Sequence, residues 1–589
     1  MTATLGHRGP DGKGVWAEGG VGLGHRRLAI IDPVTGAQPM VSGCGRYVIS
    51  YNGELYNYRE LKRQLDADHR FHTSSDTEVF LAAFAKWGTG CFEKLNGIFA
   101  VAIYDRASRR LYLARDVFGV KPLYHAQSGG AFYFASEMKA LLTAEPGLAH
   151  LSRAGLAAAL EWRYFPAPLT PFEGIAKLRP GHFLTVDANG EAREARYAPL
   201  PAAPWDGNRA DALERLQRLT NDAVRRQMAA DVPVGVLLSG GIDSALVASF
   251  AVDHASSKMT AFTVGFEGDF EKNELKAAAE TAALLGLAHE AVTVAPRDFM
   301  ALMERLAGHL EEPTATTSAV PLFLLSEQIA RTHKVVLSGQ GADELWGGYR
   351  RHLAESLRAN IAWLPPFIPG VIAALPVGER LRKAAAMAAE PDDEARYCAV
   401  RWLFAPEERM ALTGIADSYR EHLSPYRAEL AGKDSLSKAL YWDARTQLPD
   451  DLLLYTDKAA MAHGLEVRVP LLDAELAAFA ESLPPSFKVA GLRQKLLLKQ
   501  LAERRLPAAI ARRKKIGFET PVEGWFRHEL AGPLRETLCG PTARLRDVMD
   551  IHAVERMVTR HLAGRGDYSR RLFMLFSLEL WLRRFSVSC

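Results

Sequence analysis

Val236-Leu237-Leu238-Ser239-Gly240-Gly241-Ile242-Asp243-Ser244 is an apolar run that ends in two glycines, flanked by hydroxyls and one carboxylate. A short strand that turns through glycines into the helical run 245–252 leaves backbone N–H groups free at a helix N-terminus. Hydrogen bonding and the helix dipole both favour an anion there. Gly240 and Gly241 let the chain approach a phosphate closely, and Ser239 and Ser244 add hydroxyl donors. Asp243 repels a phosphate, so its fitting role is to hold a magnesium ion between them. A glycine turn closed by a serine cap would explain this stretch taken alone. A second stretch, Ser338-Gly339-Gln340-Gly341-Ala342-Asp343-Glu344, follows the β-run 334–337 and again ends in acids. Loops at the carboxyl ends of parallel strands open on one crevice, which places Asp243 and Asp343 to share the metal.

These two loops resemble the PP-loop ATP pyrophosphatases and, within them, the asparagine synthetases. The likeness continues through Leu448-Pro449-Asp450-Asp451-Leu452-Leu453, then Met461-Ala462-His463-Gly464-Leu465-Glu466-Val467-Arg468-Val469-Pro470-Leu471-Leu472-Asp473, and Arg513-Lys514-Lys515-Ile516-Gly517-Phe518, so that it covers nearly the whole chain. The resemblance implies a ligase using ATP and Mg2+: a carboxylate, that of aspartate, is adenylated with release of pyrophosphate, and ammonia then displaces AMP. It places ATP or pyrophosphate on Leu237, Ser239, Gly240, Gly241, Asp243, Ser244, Val264, Ser338 and Gly339, and the metal on Asp243 and Asp343. Charge that builds on the α-phosphate and the leaving pyrophosphate asks for magnesium, N–H donors and a lysine. Lys495, in Gly491-Leu492-Arg493-Gln494-Lys495, stands where the family carries such a lysine. Read alone it is a solvated helix lysine. His289 also matches a family histidine, and reads equally as a strand-edge histidine.

A second constellation lies upstream, in Leu5-Gly6-His7-Arg8-Gly9-Pro10-Asp11-Gly12, Gly24-His25-Arg26-Arg27-Leu28, Asn52-Gly53-Glu54-Leu55-Tyr56-Asn57, Ser75-Asp76-Thr77-Glu78 and the stretch 114–124. It resembles the class II glutamine amidotransferases, which supply ammonia by hydrolysing glutamine and fold as N-terminal-nucleophile hydrolases. Carried over by position, Arg27 grips the glutamine α-carboxylate, Asp76 and Glu54 take its amino end, and Asn52 and Gly53 donate to the oxyanion. A zwitterion needs a cation and an anion set apart, and an oxyanion needs fixed N–H donors. Asn52-Gly53 taken alone reads as a hairpin turn. The family's nucleophile is an N-terminal cysteine whose own amine is the base. Here Met1 precedes Thr2, and His7 follows directly where the family places a strand and a helix first. Three accounts compete: a start placed at an internal methionine, a true loss that leaves an ammonia-dependent synthetase, or Thr2 as nucleophile. An internal ammonia tunnel and pairing into a homodimer are further implications of the resemblance.

Gln340 stands where relatives carry a glutamate that positions the adenylate and handles ammonia's proton; an amide cannot take that proton. Tyr455, Lys458 and Ala460 replace a more usual Lys, Arg and Ser. These departures keep open amidation of a sugar acid or peptide, or closure of a ring by an internal amine. A catalytically silent scaffold is the alternative of another class, against which Asp243, Asp343 and Lys495 all stand.

The elements that must position these residues fall into two blocks. Up to residue 197, short β-runs such as 47–51 and 99–104 are apolar on both faces, as in strands of a layered sheet. Proline-rich 198–209 is a linker, and 210–589 alternates strand, glycine turn and helix before turning mainly helical from about residue 353. The fold class is therefore mixed: an N-terminal-nucleophile sandwich truncated at its first strand, then a parallel-sheet PP-loop domain with a helical end. Residues 570–585 read as an amphipathic helix, and Trp162, Trp346, Trp442 and Trp581 as core aromatics.

With 589 residues, 48% hydrophobic and 24% charged, a formal net charge of +3 and no basic block, the chain reads as a soluble cytoplasmic enzyme without a nucleic-acid partner. Its five cysteines show neither metal spacing nor a disulfide framework. The most apolar stretch, 363–377, is too short and too proline-rich to span a membrane.

Overall fold

The computed structural model describes residues 1–198, 203–268, 270, 273–361, 390–415, 420–513, 517, 519–585 and 587. The apolar stretch 363–377, expected not to span a membrane, most of the proline core of the linker, Lys514 to Ile516 and Cys589 lie outside them.

The N-terminal block is built on a six-stranded sheet in the order β11-β10-β6-β5-β4-β3. Its strands are β3 (Met40–Val41), β4 (Tyr47–Leu55), β5 (Gly97–Asp105), β6 (Arg110–Arg115), β10 (His182–Val186) and β11 (Ala192–Arg196). β4 and β5 pair antiparallel along their full length, from Tyr47 opposite Asp105 to Leu55 opposite Gly97. Both faces are apolar because both are covered. On one side Tyr51, Phe99 and Val101 meet Phe80, Phe84 and Phe92, carried by the helix Asp76–Trp87 and the turn after it. That helix starts where the Ser75 side chain accepts from Thr77 N, an ordinary N-cap. On the other side Val48, Ala100, Ala102 and Leu113 meet Leu23 and Leu123. This second layer is made of two separate pieces: the hairpin β1 (Gly12–Glu18) with β2 (Val21–Arg27), and a three-stranded sheet β8-β7-β9, with β7 at Tyr124–Ser128, β8 at Ala131–Ala135 and β9 at Ile175–Lys177.

The second block holds a five-stranded, all-parallel sheet in the order β14-β13-β12-β15-β16. The strands are β12 (Val234–Leu237), β13 (Thr260–Phe266), β14 (Ala288–Val294), β15 (Val335–Leu337) and β16 (Glu466–Arg468). From β12 the chain builds outwards first on one side and then on the other. The order therefore reverses between β12 and β15, where a doubly wound sheet opens its crevice. β16 is a three-residue strand within a region that is mainly helical after residue 353, as expected.

Residues 570–585 need a correction. The helix Ser569–Phe585 is buried on all sides from Leu572 to Leu582, Glu579 included, so it is a central helix rather than an amphipathic cover. Trp581 is 1% exposed and donates Nε1–H to Glu311 O at 2.8 Å. Trp162, Trp346 and Trp442 are buried as expected. One apolar cluster runs from Tyr124, Met138 and Phe172 of the first block into Phe299, Phe323 and Trp581 of the second. At roughly 1.5–3 kcal/mol for each large side chain fully buried, this shared core fastens the two blocks together.

Candidate active sites

The two glycine loops meet in the crevice beyond β12 and β15. In the first, Ser244 Oγ accepts from Ser239 N at 3.1 Å and lies 2.9 Å from Ser239 Oγ, while Gly241 N donates to Ser239 Oγ at 3.2 Å. The hydroxyls thus tie the turn to the first turn of the helix Ile242–His254 and hold the cradle in shape. Gly339 of the second loop lies flat on the first: a β-carbon there would stand 2.5 Å from Ser244 N and 2.7 Å from the Asp243 carbonyl carbon. Ser338 N is fixed to Arg468 O at 2.8 Å. Leu237 ends β12, and Val264 lies two residues past Phe262, its register partner on β13, towards the same end of the sheet.

Lys495 supplies the cation. It precedes the helix Leu496–Arg505 at a left-handed φ of 52° and is 2% exposed. Its Nζ lies 2.6 Å from Asp243 Oδ2 and 2.6 Å from Asp343 Oδ1. Burial works against the charge, but the two carboxylates outweigh it and raise the ammonium pKa above the ordinary lysine value. Lys495 is therefore no solvated helix lysine. Asp243 Oδ1 is buried without a hydrogen-bond partner, an oxygen left over for a second cation. Among the described residues no three His, Cys, Asp or Glu side chains gather to cage a metal. The carboxylates of Asp243 and Asp343 are the residues that would hold a hard divalent ion such as Mg2+.

Gln340 bridges the crevice to the next segment: Nε2 donates to Leu452 O at 3.0 Å and Oε1 accepts from Thr456 Oγ1 at 3.2 Å. Lys458, in the same segment, is buried and paired with Glu311, and Ala460 is packed in the apolar core. His289 lies on the edge strand β14, its Nε2 3.0 Å from Thr263 Oγ1.

The N-terminal block contains a cavity of about 460 Å3 whose lining includes Arg27, Asn52, Gly53, Glu54 and Asp76, every residue assigned above to glutamine. β4 forms its floor, and β2 and β8 its sides; among the described residues, neither strand pairs with another along the edge away from its own sheet. Asn52-Gly53 sits inside β4 and is not a hairpin turn. Gly53 has φ +150°, and a β-carbon there would stand 2.0 Å from Ile98 O, so only glycine fits. Asn52 Nδ2 reaches Ser136 Oγ at 3.5 Å. Arg27 donates to the carbonyls of Ile31, Asp32 and Pro33, which fixes the guanidinium in the cavity wall. Asp76 Oδ2 accepts from Leu55 N at 2.9 Å and Tyr51 OH at 3.1 Å. Glu54 is 5% exposed and its Oε2 has no partner. Burial pushes the Glu54 carboxyl well above its ordinary range, Asp76 adds to this, and Arg468 opposes it. Met1 and Thr2 also line the cavity, but none of the four described cysteines does.

Sequence reasoning missed what lies beyond this floor. Met461 and Glu466, from the second block, line the same cavity. A chain of buried ion pairs follows: Glu54 with Arg468 (3.4 Å), Arg468 with Glu466 (2.8 Å), Glu466 with Lys121 (3.2 Å), Lys121 with Asp457 (3.5 Å), Asp457 with Arg8 (2.7 Å), Arg8 with Glu137 (3.2 Å), and Glu137 with Lys139 (2.7 Å). The available signal was the alternation Leu465-Glu466-Val467-Arg468-Val469, a strand period with charges on one face.

The profile of the asparagine synthase family matches residues 215–583, and that of the glutamine amidotransferase domain residues 1–198. Asparagine synthetase [glutamine-hydrolyzing] 1 of Bacillus subtilis is 32% identical over 99% of this chain and 92% of its own length. Asparagine synthetase [glutamine-hydrolyzing] 3 of the same organism is 31% identical over 87% and 82%. With the paired loops on a parallel sheet and the amidotransferase cavity ahead of them, the chain belongs to the glutamine-hydrolysing asparagine synthetase family.

Proposed function

We propose that the chain is an ATP-dependent asparagine synthase, divided into an amidotransferase block at 1–197, a connector at 198–209 and a synthetase block at 210–589. The observation that carries this reading is Lys495 Nζ held at 2.6 Å from both Asp243 and Asp343, where two phosphate-type loops converge. A side-chain carboxylate oxygen of aspartate attacks the α-phosphorus, and the bond to pyrophosphate breaks. The N–H groups at the start of the helix Ile242–His254, with Ser239 and Ser244, receive the phosphate oxygens. Lys495 neutralises the charge that grows on the leaving pyrophosphate. Asp243 and Asp343 would hold Mg2+, which when bound would supply positive charge to the phosphates. Ammonia then attacks the acyl carbon and AMP leaves. Gln340 can orient the adenylate by its amide but does not take the ammonium proton, which passes to another acceptor.

In the N-terminal cavity Arg27 faces the glutamine α-carboxylate end, Glu54 and Asp76 the amino end, and Asn52 and Gly53 the amide. None of the four described cysteines lines that cavity, and the ammonia of the second step comes from glutamine or from solution. The test is pyrophosphate release from ATP with aspartate, set against sugar acids and peptide carboxylates. Release that rises with aspartate alone supports the reading, and an equal response without aspartate overturns it.

A further inference from the structure

Glu54, an acidic wall of the glutamine cavity, draws its support from the other block. Arg468, on β16, is fully buried and held from three directions: Nε donates to Glu466 Oε1 at 2.8 Å, and Nη1 donates to Gln227 O at 2.8 Å and Ala229 O at 2.7 Å. Nη2 makes no hydrogen bond and is turned to Glu54 Oε1 at 3.4 Å. Glu54 lines the cavity, and its buried Oε2 has no hydrogen-bond partner. A guanidinium clamped by fixed carbonyls cannot follow its partner, so it sets where the carboxylate stands.

The charges agree with this geometry. Along the buried chain and the adjoining Asp76, the carboxylates of Glu54, Asp76, Glu466, Asp457 and Glu137 face the cations of Arg468, Lys121, Arg8 and Lys139. Glu54 closes this chain with one ion-pair partner, Arg468, and lines the cavity. A ligand that brings one positive charge to Glu54 completes the network, and an uncompensated buried carboxylate is costly without it.

We propose that Arg468 is a positioning residue of the amidotransferase site: contributed by the synthetase block, it holds the Glu54 carboxyl in place at the cavity wall, where Glu54 receives the α-ammonium of glutamine. This rests on the reading of the cavity as a glutamine site, and it makes glutamine affinity a property of both blocks together. The groups that face Glu54 are Asp76, Glu466, Lys121, Arg468, Tyr51 and Tyr56. Among them Arg468 is the cation that acts most strongly against protonation of Glu54. Removing it leaves only Lys121 against burial, Asp76 and Glu466, so the pH below which glutamine ceases to bind moves up.

The experiment is calorimetric titration of the full chain with L-glutamine from pH 5.5 to 8.5, for the unmodified protein, Arg468→Met, Arg468→Lys, Glu54→Gln and the double variant Arg468→Met/Glu54→Gln. Expected are a loss of at least tenfold in affinity for Arg468→Met with its acid limb moved to higher pH, a partial rescue by Arg468→Lys, and a double variant no weaker than Glu54→Gln. Losses that multiply in the double variant, or an Arg468→Met affinity equal to that of the unmodified chain, would overturn the proposal. If Arg468→Met melts early, Arg468→Lys decides: unchanged affinity counts against the proposal, and a partial loss with an unmoved acid limb supports it. Failure of the unmodified chain to bind L-glutamine while it binds ATP would instead sink the underlying glutamine reading.

Discussion

Lys495 shows why a residue's role depends on what it faces. An ammonium at 2.6 Å from two carboxylates, 2% exposed, is a fixed charge rather than a solubilising one. Replacing it by methionine removes the cation from the leaving pyrophosphate, and a drop of about 100-fold or more in aspartate-dependent pyrophosphate release is expected, the scale for losing one preorganised electrostatic contact. A release rate within a factor of three of the unmodified chain would remove Lys495 from the reaction. Gln340 gives a second expectation. Its Nε2–H bond to Leu452 O cannot be made by an ionised acid, so Gln340→Glu should lose about 1–3 kcal/mol, seen as an earlier urea midpoint at pH 8 and a smaller loss at pH 5, where the acid protonates and can donate. An equal midpoint shift at the two pH values would contradict that account. At this scale the sequence showed which types were present, Asp243, Asp343, Lys495, Glu54 and Asp76, because glycine loops and acidic motifs are local. It did not show Arg468 facing Glu54, since that pair exists only once β16 is laid beside β15 and the two blocks are docked.

Among the elements, the glycine loops work because they touch. Gly339 lies so close to the backbone of Asp243 and Ser244 that Gly339→Ala must part the two loops by several tenths of an ångström. Pyrophosphate release should fall by about tenfold or more, since an ångström of misplacement costs up to about 100-fold. The far-ultraviolet circular dichroism should stay unchanged, and full activity in the variant would show that the contact is not needed. Strands β4 and β12 and the helices Arg209–Gln227 and Ile242–His254 were legible as short apolar runs or helical periods between turn signals. β16 and the buried helix Ser569–Phe585 were not. The first is a brief alternation of five residues inside a mainly helical region, and the second carries arginines at both ends that imitate an exposed face while its middle turns are wholly enclosed.

Over the whole molecule, the two blocks share an apolar cluster and a chain of buried ion pairs, so its stability should answer to pH as a unit. His25, buried in β2, has its pKa lowered by burial, and then by Arg27, to about 4. Burial likewise holds His125 and His182 at about 4. Each binds a proton in the unfolded chain below pH about 6.5 and none in the folded one until about pH 4, so stability falls as pH falls through that window. At pH 5 His25 alone accounts for up to about 2 kcal/mol. The urea midpoint should therefore be lower at pH 5 than at pH 7, and a flat profile between them would contradict it. Among the described residues no helix is long and apolar enough to cross a membrane, and four cysteines are free. The most direct test of the account is the fate of oxygen from aspartate labelled with 18O in its side-chain carboxylate, incubated with this chain, ATP, magnesium and an ammonium salt. Adenylation of that carboxylate predicts asparagine together with AMP that carries one labelled oxygen; AMP without label would contradict it.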